Sequence, residues 1–167
     1  MTMYYTSTVR LESAGFSFSS GHFTIFSSTE RERLHGHRFT VACTMETQVG
    51  PEGLSFDYGY YKKILEDLCA SVDEYFLLPQ YNPHLQVQSE GAYVRCTFSG
   101  KTFQLPAEDV QILPVSNITV EELSRWVALR LQAICGACFG AHHILSYTVE
   151  VASGPGQSAS FRFLTGA

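Results

Sequence analysis

The chain is poor in charge: only 16% of its 167 residues are Asp, Glu, Lys or Arg, and the formal net charge is −5. Binding to nucleic acid needs a basic stripe to neutralise phosphates, and none is visible, so no nucleic-acid partner is expected. No apolar run approaches the roughly 20 residues of a membrane-spanning helix. The opening MTMYYTSTVRLES also lacks the basic-then-apolar pattern of a secretory signal. The expectation is no membrane partner and a cytoplasmic location. Five cysteines (Cys43, Cys69, Cys96, Cys135 and Cys138) are an odd number spread through apolar segments, which points to buried thiols more than to a disulfide framework. Cys135 and Cys138 spell C-x-x-C, but at the end of a predicted helix, with no second pair and no βαβ context. They read as packing.

What the chain does have is enough apolar mass for a core. It is 45% hydrophobic, with twelve Phe, nine Tyr and a single Trp, Trp126. At this length one domain spanning 1–167 is the natural expectation. Residues 4–24 read as one long strand, or two broken near Gly15. From 37 to 48 the residues alternate, with His37, Phe39, Val41, Cys43 and Met45 on one face. Tyr58, Tyr61, Leu65, Leu68, Cys69 and Val72 recur at helical spacing and predict an amphipathic helix over about 57–73, with Asp57 as its cap. Residues 92–105 predict a hairpin turning at Ser99-Gly100. A second helix is predicted over about 120–137, with Leu123, Trp126, Val127, Leu131 and Ile134 on its apolar face and a capping box from Thr119 and Glu122. Two closing strands flank Gly154-Pro155-Gly156. The sum is an α+β arrangement with an antiparallel sheet.

Three histidines stand out against this background. His35 and His37 form His-Gly-His, and in an extended backbone they point to the same face. His22 ends another strand-like run, and the twelve-residue polar link 23–34 lets the two runs pair. Three imidazoles then converge from adjacent strands. Three protein nitrogens with one open position are the ligand set of a catalytic zinc, whereas structural zinc sites carry four protein ligands. A set of surface or hydrogen-bonded histidines is the plainer alternative. Arg31, Arg33 and Arg38 could serve a small anion, or could be a solvated loop.

With these residues in place, the chain resembles the 6-pyruvoyl-tetrahydropterin synthase family, which includes the bacterial 6-carboxy-tetrahydropterin synthases of queuosine biosynthesis. The family's F-S-A-x-H appears as Phe18-Ser19-Ser20-Gly21-His22, and its H-G-H before an aromatic strand as His35-Gly36-His37-Arg38-Phe39. Its Asp-Phe helix opening is Asp57-Tyr58, its Leu-Asp-His segment Val72-Asp73-Glu74, and its P-T-A-E-N helix entry Ile118-Thr119-Val120-Glu121-Glu122. Residues from about 79 to 113 exceed the compact members and look like an inserted loop or hairpin.

The resemblance implies a T-fold: ββααββ subunits with two helices on one face of the sheet, joined edge to edge into an oligomeric barrel, often a hexamer built as a dimer of trimers. An antiparallel sheet with bare edges is suited to that assembly. It also implies a site at a subunit interface, with Zn²⁺ on His22, His35 and His37 gripping the side-chain oxygens of a pterin-like small molecule. The metal would act as a Lewis acid there.

Two departures bear on the chemistry. The family's cysteine base before His-Gly-His is missing, and its paired histidine is replaced by Glu74. Glu32, three positions before His35, is the substitute, as in a branch of the family with glutamate at that place, which cleaves the substrate side chain in an aldolase-like manner. Glu32 could instead be one exposed member of the run Glu30-Arg31-Glu32-Arg33. Asp73 and Glu74 either face the site, as the resemblance implies, or form a polar helix end. The resemblance also assigns Glu121 to substrate binding and places the heterocycle anchor at Ser153, or at Glu150 if the Gly-Pro-Gly loop is longer. Three functions follow: a zinc-dependent lyase or synthase acting on a reduced pterin, a homologue that binds zinc and a pterin- or purine-like ligand without that reaction, or an interaction scaffold with vestigial histidines.

Overall fold

A computed structural model describes residues 4–166, so Met1–Met3 and Ala167, the ends of the expected 1–167 span, lie outside the described residues. The strand-like segment near the N-terminus divides as β1 (Tyr5–Leu11) and β2 (Ser17–His22), and a turn closed by Phe16 N–H donating to the Ser13 carbonyl separates them. β3 (His35–Val49) is fifteen residues long, and its two halves take different partners. β2 pairs along His35–Thr40, and β1 along Cys43–Val49. On its other edge lies β9 (Ile144–Gly154), followed by β10 (Gln157–Leu164). All these pairings are antiparallel.

The alternation in β3 sets the layers. Phe39, Val41, Cys43 and Met45 are buried on one face, where they meet Tyr147, Val149 and Val151 of β9. Two helices cover that face: α1 (Tyr58–Ala70), through Tyr61, Leu65 and Leu68, and α2 (Val120–Cys135), through Leu123, Trp126, Val127 and Leu131. Asp57 caps α1 by accepting from Gly59 N–H. This mixed α+β architecture, with two helices on one face of the sheet, is the arrangement expected of a T-fold.

Several sequence-based expectations need adjustment. Tyr58 and Ile134 are exposed: the buried stripe of α1 begins at Tyr61, and at the end of α2 it is Cys135, not Ile134, that faces the core. The capping box is only half formed. Thr119 Oγ1 accepts from Glu122 N–H at 3.4 Å, but the Glu122 carboxylate turns away to Ser116 N–H and to Arg125. The sheet is also not purely antiparallel. β4 (Phe76–Pro79) and β8 (Val110–Leu113) extend it beyond β2 as short parallel strands. Gly21 permits the first of these joins, since a Cβ there would stand 2.5 Å from the Phe76 ring.

A second sheet holds β5 (Leu85–Glu90), β6 (Tyr93–Phe98) and β7 (Lys101–Pro106). The hairpin at Ser99-Gly100 forms as expected, with φ of 48° and 72°, values that suit the tight right-twisted hairpin turn. Leu85, Val94, Cys96 and Phe98 from this sheet enclose a separate apolar cluster with Phe23, Ile25 and Leu78. This cluster therefore touches the 23–34 link, next to the histidines.

Candidate metal centre and active site

Register brings the histidines together. In the β2–β3 ladder His22 lies opposite His35, and Ser20 opposite His37. Residues directly across a ladder share a face, so all three imidazoles emerge on the helix-covered side. Ring centroids are 4.5 Å apart for His22 and His35, 5.3 Å for His22 and His37, and 4.9 Å for His35 and His37. The prospective ligand atoms all lie within 4.8 Å of one another. Phe39, the next residue on this face of β3, packs against His22 and His37 as an apolar floor.

Outer contacts orient the rings. His22 Nδ1 is 3.0 Å from the Ile118 carbonyl oxygen, and His35 Nδ1 is 2.7 Å from that of Arg33. With each Nδ1–H donating outward, the Nε2 lone pairs face the centre. His22 Nε2 is buried with no hydrogen-bond partner, while Nε2 of His35 and of His37 are 3.1 Å apart. An unpartnered buried ring nitrogen is costly, and crowded lone pairs repel. A cation between them relieves both, so this donor set fits a metal ion. Burial pushes the His22 imidazole down to about 4, opposed by its bond to Ile118 and reinforced by the other two histidines. His22 is thus neutral at neutral pH, as a ligand must be.

Glu32 lines the same cavity, with its Oε2 3.8 Å from His35 Nε2. Its carboxylate accepts from Thr24 N–H at 2.9 Å, and its own N–H donates to the Thr24 carbonyl at 2.9 Å. Burial raises its pKa, yet the Thr24 bonds, with a smaller contribution from the neighbouring imidazoles, outweigh it and hold the carboxyl below its usual value. Glu30 lines a neighbouring cavity instead, together with Arg31, Arg33 and Lys101.

The cavity over the histidines measures about 170 Å³. Glu121 from the first turn of α2 and Ser153 at the end of β9 stand on its wall, along with Thr24 and Gln157. Ser153 Oγ donates to Gln157 Oε1 at 3.2 Å, across the Pro155-Gly156 turn. Glu150 is elsewhere: it pairs across from Ala42 and forms a 3.4 Å ion pair with Arg10. Asp73 and Glu74 do not reach this cavity within one chain. The Asp73 carboxylate accepts from Ser19 N–H at 2.7 Å. Glu74, at φ 63°, lines a second depression, with Ser19, Gly21 and Arg38, that reaches His37 from the other side of the strand.

Three residues near the site escaped the sequence reading. Thr24 meets Glu32 through its backbone and Gln157 meets Ser153 through a single side-chain amide, contacts that leave no pattern in the sequence. Asn117 holds both the N–H and the carbonyl of Ile25, at 3.1 and 2.8 Å, from 92 residues away.

Comparison with known proteins places this geometry among relatives. A family model described as 6-pyruvoyl tetrahydropterin synthase matches residues 12–163. A Methanocaldococcus jannaschii protein, provisionally named a 6-carboxy-5,6,7,8-tetrahydropterin synthase, is 27% identical over 154 residues, covering 89% of this chain and 91% of its own. A Pyrococcus abyssi protein with the same provisional name is 26% identical over 115 residues, 68% of each chain. Among solved structures, the 6-pyruvoyl tetrahydropterin synthase of Plasmodium falciparum superposes with a TM-score of 0.90 at 24% identity, over 95% of this chain and 98% of that one. The Plasmodium vivax enzyme gives the same TM-score at 23% identity, over 96% and 99%, in variants where a glutamate named as a catalytic residue is replaced by alanine or by cysteine.

Proposed function

Because this chain belongs to the 6-pyruvoyl tetrahydropterin synthase family, we propose that it is a zinc-dependent lyase acting on the side chain of a reduced pterin of the dihydroneopterin triphosphate class. The observation that carries the proposal is the approach of the Glu32 carboxylate to within 3.8 Å of an imidazole in the three-histidine cluster. A base and a Lewis-acid site then face one small cavity. The Plasmodium vivax variants add support, since a glutamate is the named catalytic residue in that relative.

His22, His35 and His37 would hold the metal, which when bound supplies Lewis-acid polarisation of the substrate's side-chain oxygens. Glu32 stays ionised and accepts a proton from a side-chain hydroxyl. As that O–H electron pair forms a carbonyl, the adjacent C–C bond breaks and its electrons pass to the carbon attached to the pterin ring, where the conjugated C=N accepts them. A proton returned to that carbon completes the cleavage. Thr24 N–H keeps the carboxylate aimed at the cavity, and Phe39 keeps water from the cavity floor. Glu121 and Ser153, with Gln157, would bind the heterocycle, since all three line the cavity over the histidines.

The proposal extends to assembly. A volume of about 170 Å³ is small beside the roughly 300–1,000 Å³ usual for ligand sites, and Asp73 and Glu74 do not line their own chain's cavity. Both facts support a site completed by a neighbouring subunit in a hexamer, with residues 1–167 as a single domain and about 79–113 as an insertion.

Incubation with dihydroneopterin triphosphate, with products identified by mass, tests the reaction. A shortened-side-chain pterin is the expected product, and intact substrate at saturating zinc would remove the lyase assignment. One observation favours a second reading, ligand binding without turnover: Ser153 cannot make the paired charge-assisted contacts of a carboxylate anchor. Tight binding of the pterin with no product would establish that reading.

A further inference from the structure

We infer that Arg31 is the positioning residue for Glu32, tying the carboxylate's backbone to the aromatic face of the three-stranded sheet of residues 85–106. The inference rests on the base assignment for Glu32 and adds the device that holds it.

Glu32 sits on a link between two strands, and its side chain is 37% exposed. The β2–β3 ladder ends at His22 and His35, so that ladder does not hold it. A catalytic group needs placement within about 0.5 Å, which a free link cannot provide. Thr24 contacts Glu32 twice, but Thr24 belongs to the same link. The connection to a rigid body comes from the neighbouring residue. Arg31 Nη1 donates to the Glu32 carbonyl at 2.6 Å. Its guanidinium carbon lies 4.9 Å from the Phe23 ring centroid, 5.6 Å from Phe103 and 5.9 Å from Phe98.

Phe98 and Phe103 belong to β6 and β7, so the guanidinium bridges the second sheet and the catalytic link. Among the described residues Arg31 forms no ion pair, and its charge is spent on ring faces and a carbonyl instead. A planar guanidinium suits that task because it can stack and donate in plane at the same time, which an ammonium cannot. Arg31 also bridges Ile25 as a β-partner, and Asn117 clamps Ile25 from the other side. The second sheet is on this reading a brace for the active site.

The test compares Arg31→Met, Arg31→Lys, Glu32→Gln and the Arg31→Met/Glu32→Gln double variant. Each full-length, zinc-loaded protein is assayed for kcat and KM and for amide hydrogen exchange over residues 24–33. Arg31→Met should lower kcat about 10- to 100-fold, the range that a displacement near 1 Å produces. KM should stay within about twofold, zinc should be retained, and exchange across 24–33 should speed up selectively. Arg31→Lys should recover part of both effects. In the Glu32→Gln background, Arg31→Met should cost no further activity, since its effect passes through the missing carboxylate. Unchanged exchange in Arg31→Met, or an equal loss of activity in both backgrounds, overturns the inference. Full activity in Glu32→Gln would instead remove the base assignment, while the exchange measurement, which needs no substrate, still decides the role of Arg31. Phe103→Leu, which keeps the arginine but removes a ring beneath it, yields the same readouts should Arg31→Met not fold.

Discussion

His22 and His35 face each other directly across the β2–β3 ladder with ring centroids 4.5 Å apart, and the innermost nitrogen of the pair, His22 Nε2, is buried without a partner. A ladder position and an unmet valence thus coincide at the point where a ligand is needed.

Metal content follows from that coincidence. One equivalent of zinc per subunit is expected, and elemental analysis of His35→Ala should show most of it gone. Removal of zinc by a chelator should lower the thermal midpoint of the native protein, because a ligand that binds only the folded state stabilises it. Full metal retention in His35→Ala would exclude this site.

The two glutamates of the link should differ in their effect on turnover. Glu32→Gln is expected to reduce it about 10²- to 10⁴-fold, the contribution of a general base, with zinc occupancy unchanged. Glu30→Gln should have little effect, since Glu30 lines the neighbouring cavity and not the one over the histidines. Normal turnover in both variants would end the carboxylate-base assignment.

Acid should weaken the entry to α2. The Glu122 carboxyl is lowered from 4.5 to about 2, chiefly by its hydrogen bonds from Arg125, against a smaller opposing effect of burial and with help from Ser116. A depressed carboxylate pKa stabilises the fold above the ordinary value, and that stability is lost as pH falls from about 4.5 towards 2. At pH 7 the contribution is on the order of 1–3 kcal/mol. Denaturant titrations should show Glu122→Gln less stable than the parent at pH 7, with the gap closing towards pH 2. A gap independent of pH would mean that the carboxylate charge is not what matters.

Assembly is expected to be hexameric. Among the described residues the main sheet leaves the edges of β10, β1 and β8 without a partner strand in the single chain, and exposed Tyr5 and Leu164 sit on β1 and β10. Sedimentation at micromolar concentration should show a species about six times the 18.6 kDa chain. A single 18.6 kDa boundary would contradict this.

Much of this protein could be read without coordinates, for a simple physical reason. Period-two and helical spacings are local properties of the chain, so the alternation of Phe39, Val41, Cys43 and Met45 and the apolar stripe of α2 were visible in the sequence. His35 and His37 share a face by strand geometry alone, and only the partner strand was needed to add His22. What the sequence could not decide depends on register and on contacts between distant segments. Local spacing cannot say that Ser153 rather than Glu150 stands on the cavity wall, because a one-residue change in register carries a side chain to the other face. Nor can it say that Asp73 and Glu74 stand outside the cavity that Glu32, Glu121 and Ser153 line, or that Arg31 lies against Phe98 and Phe103. Those placements arise where separate segments pack, and only the tertiary structure determines them.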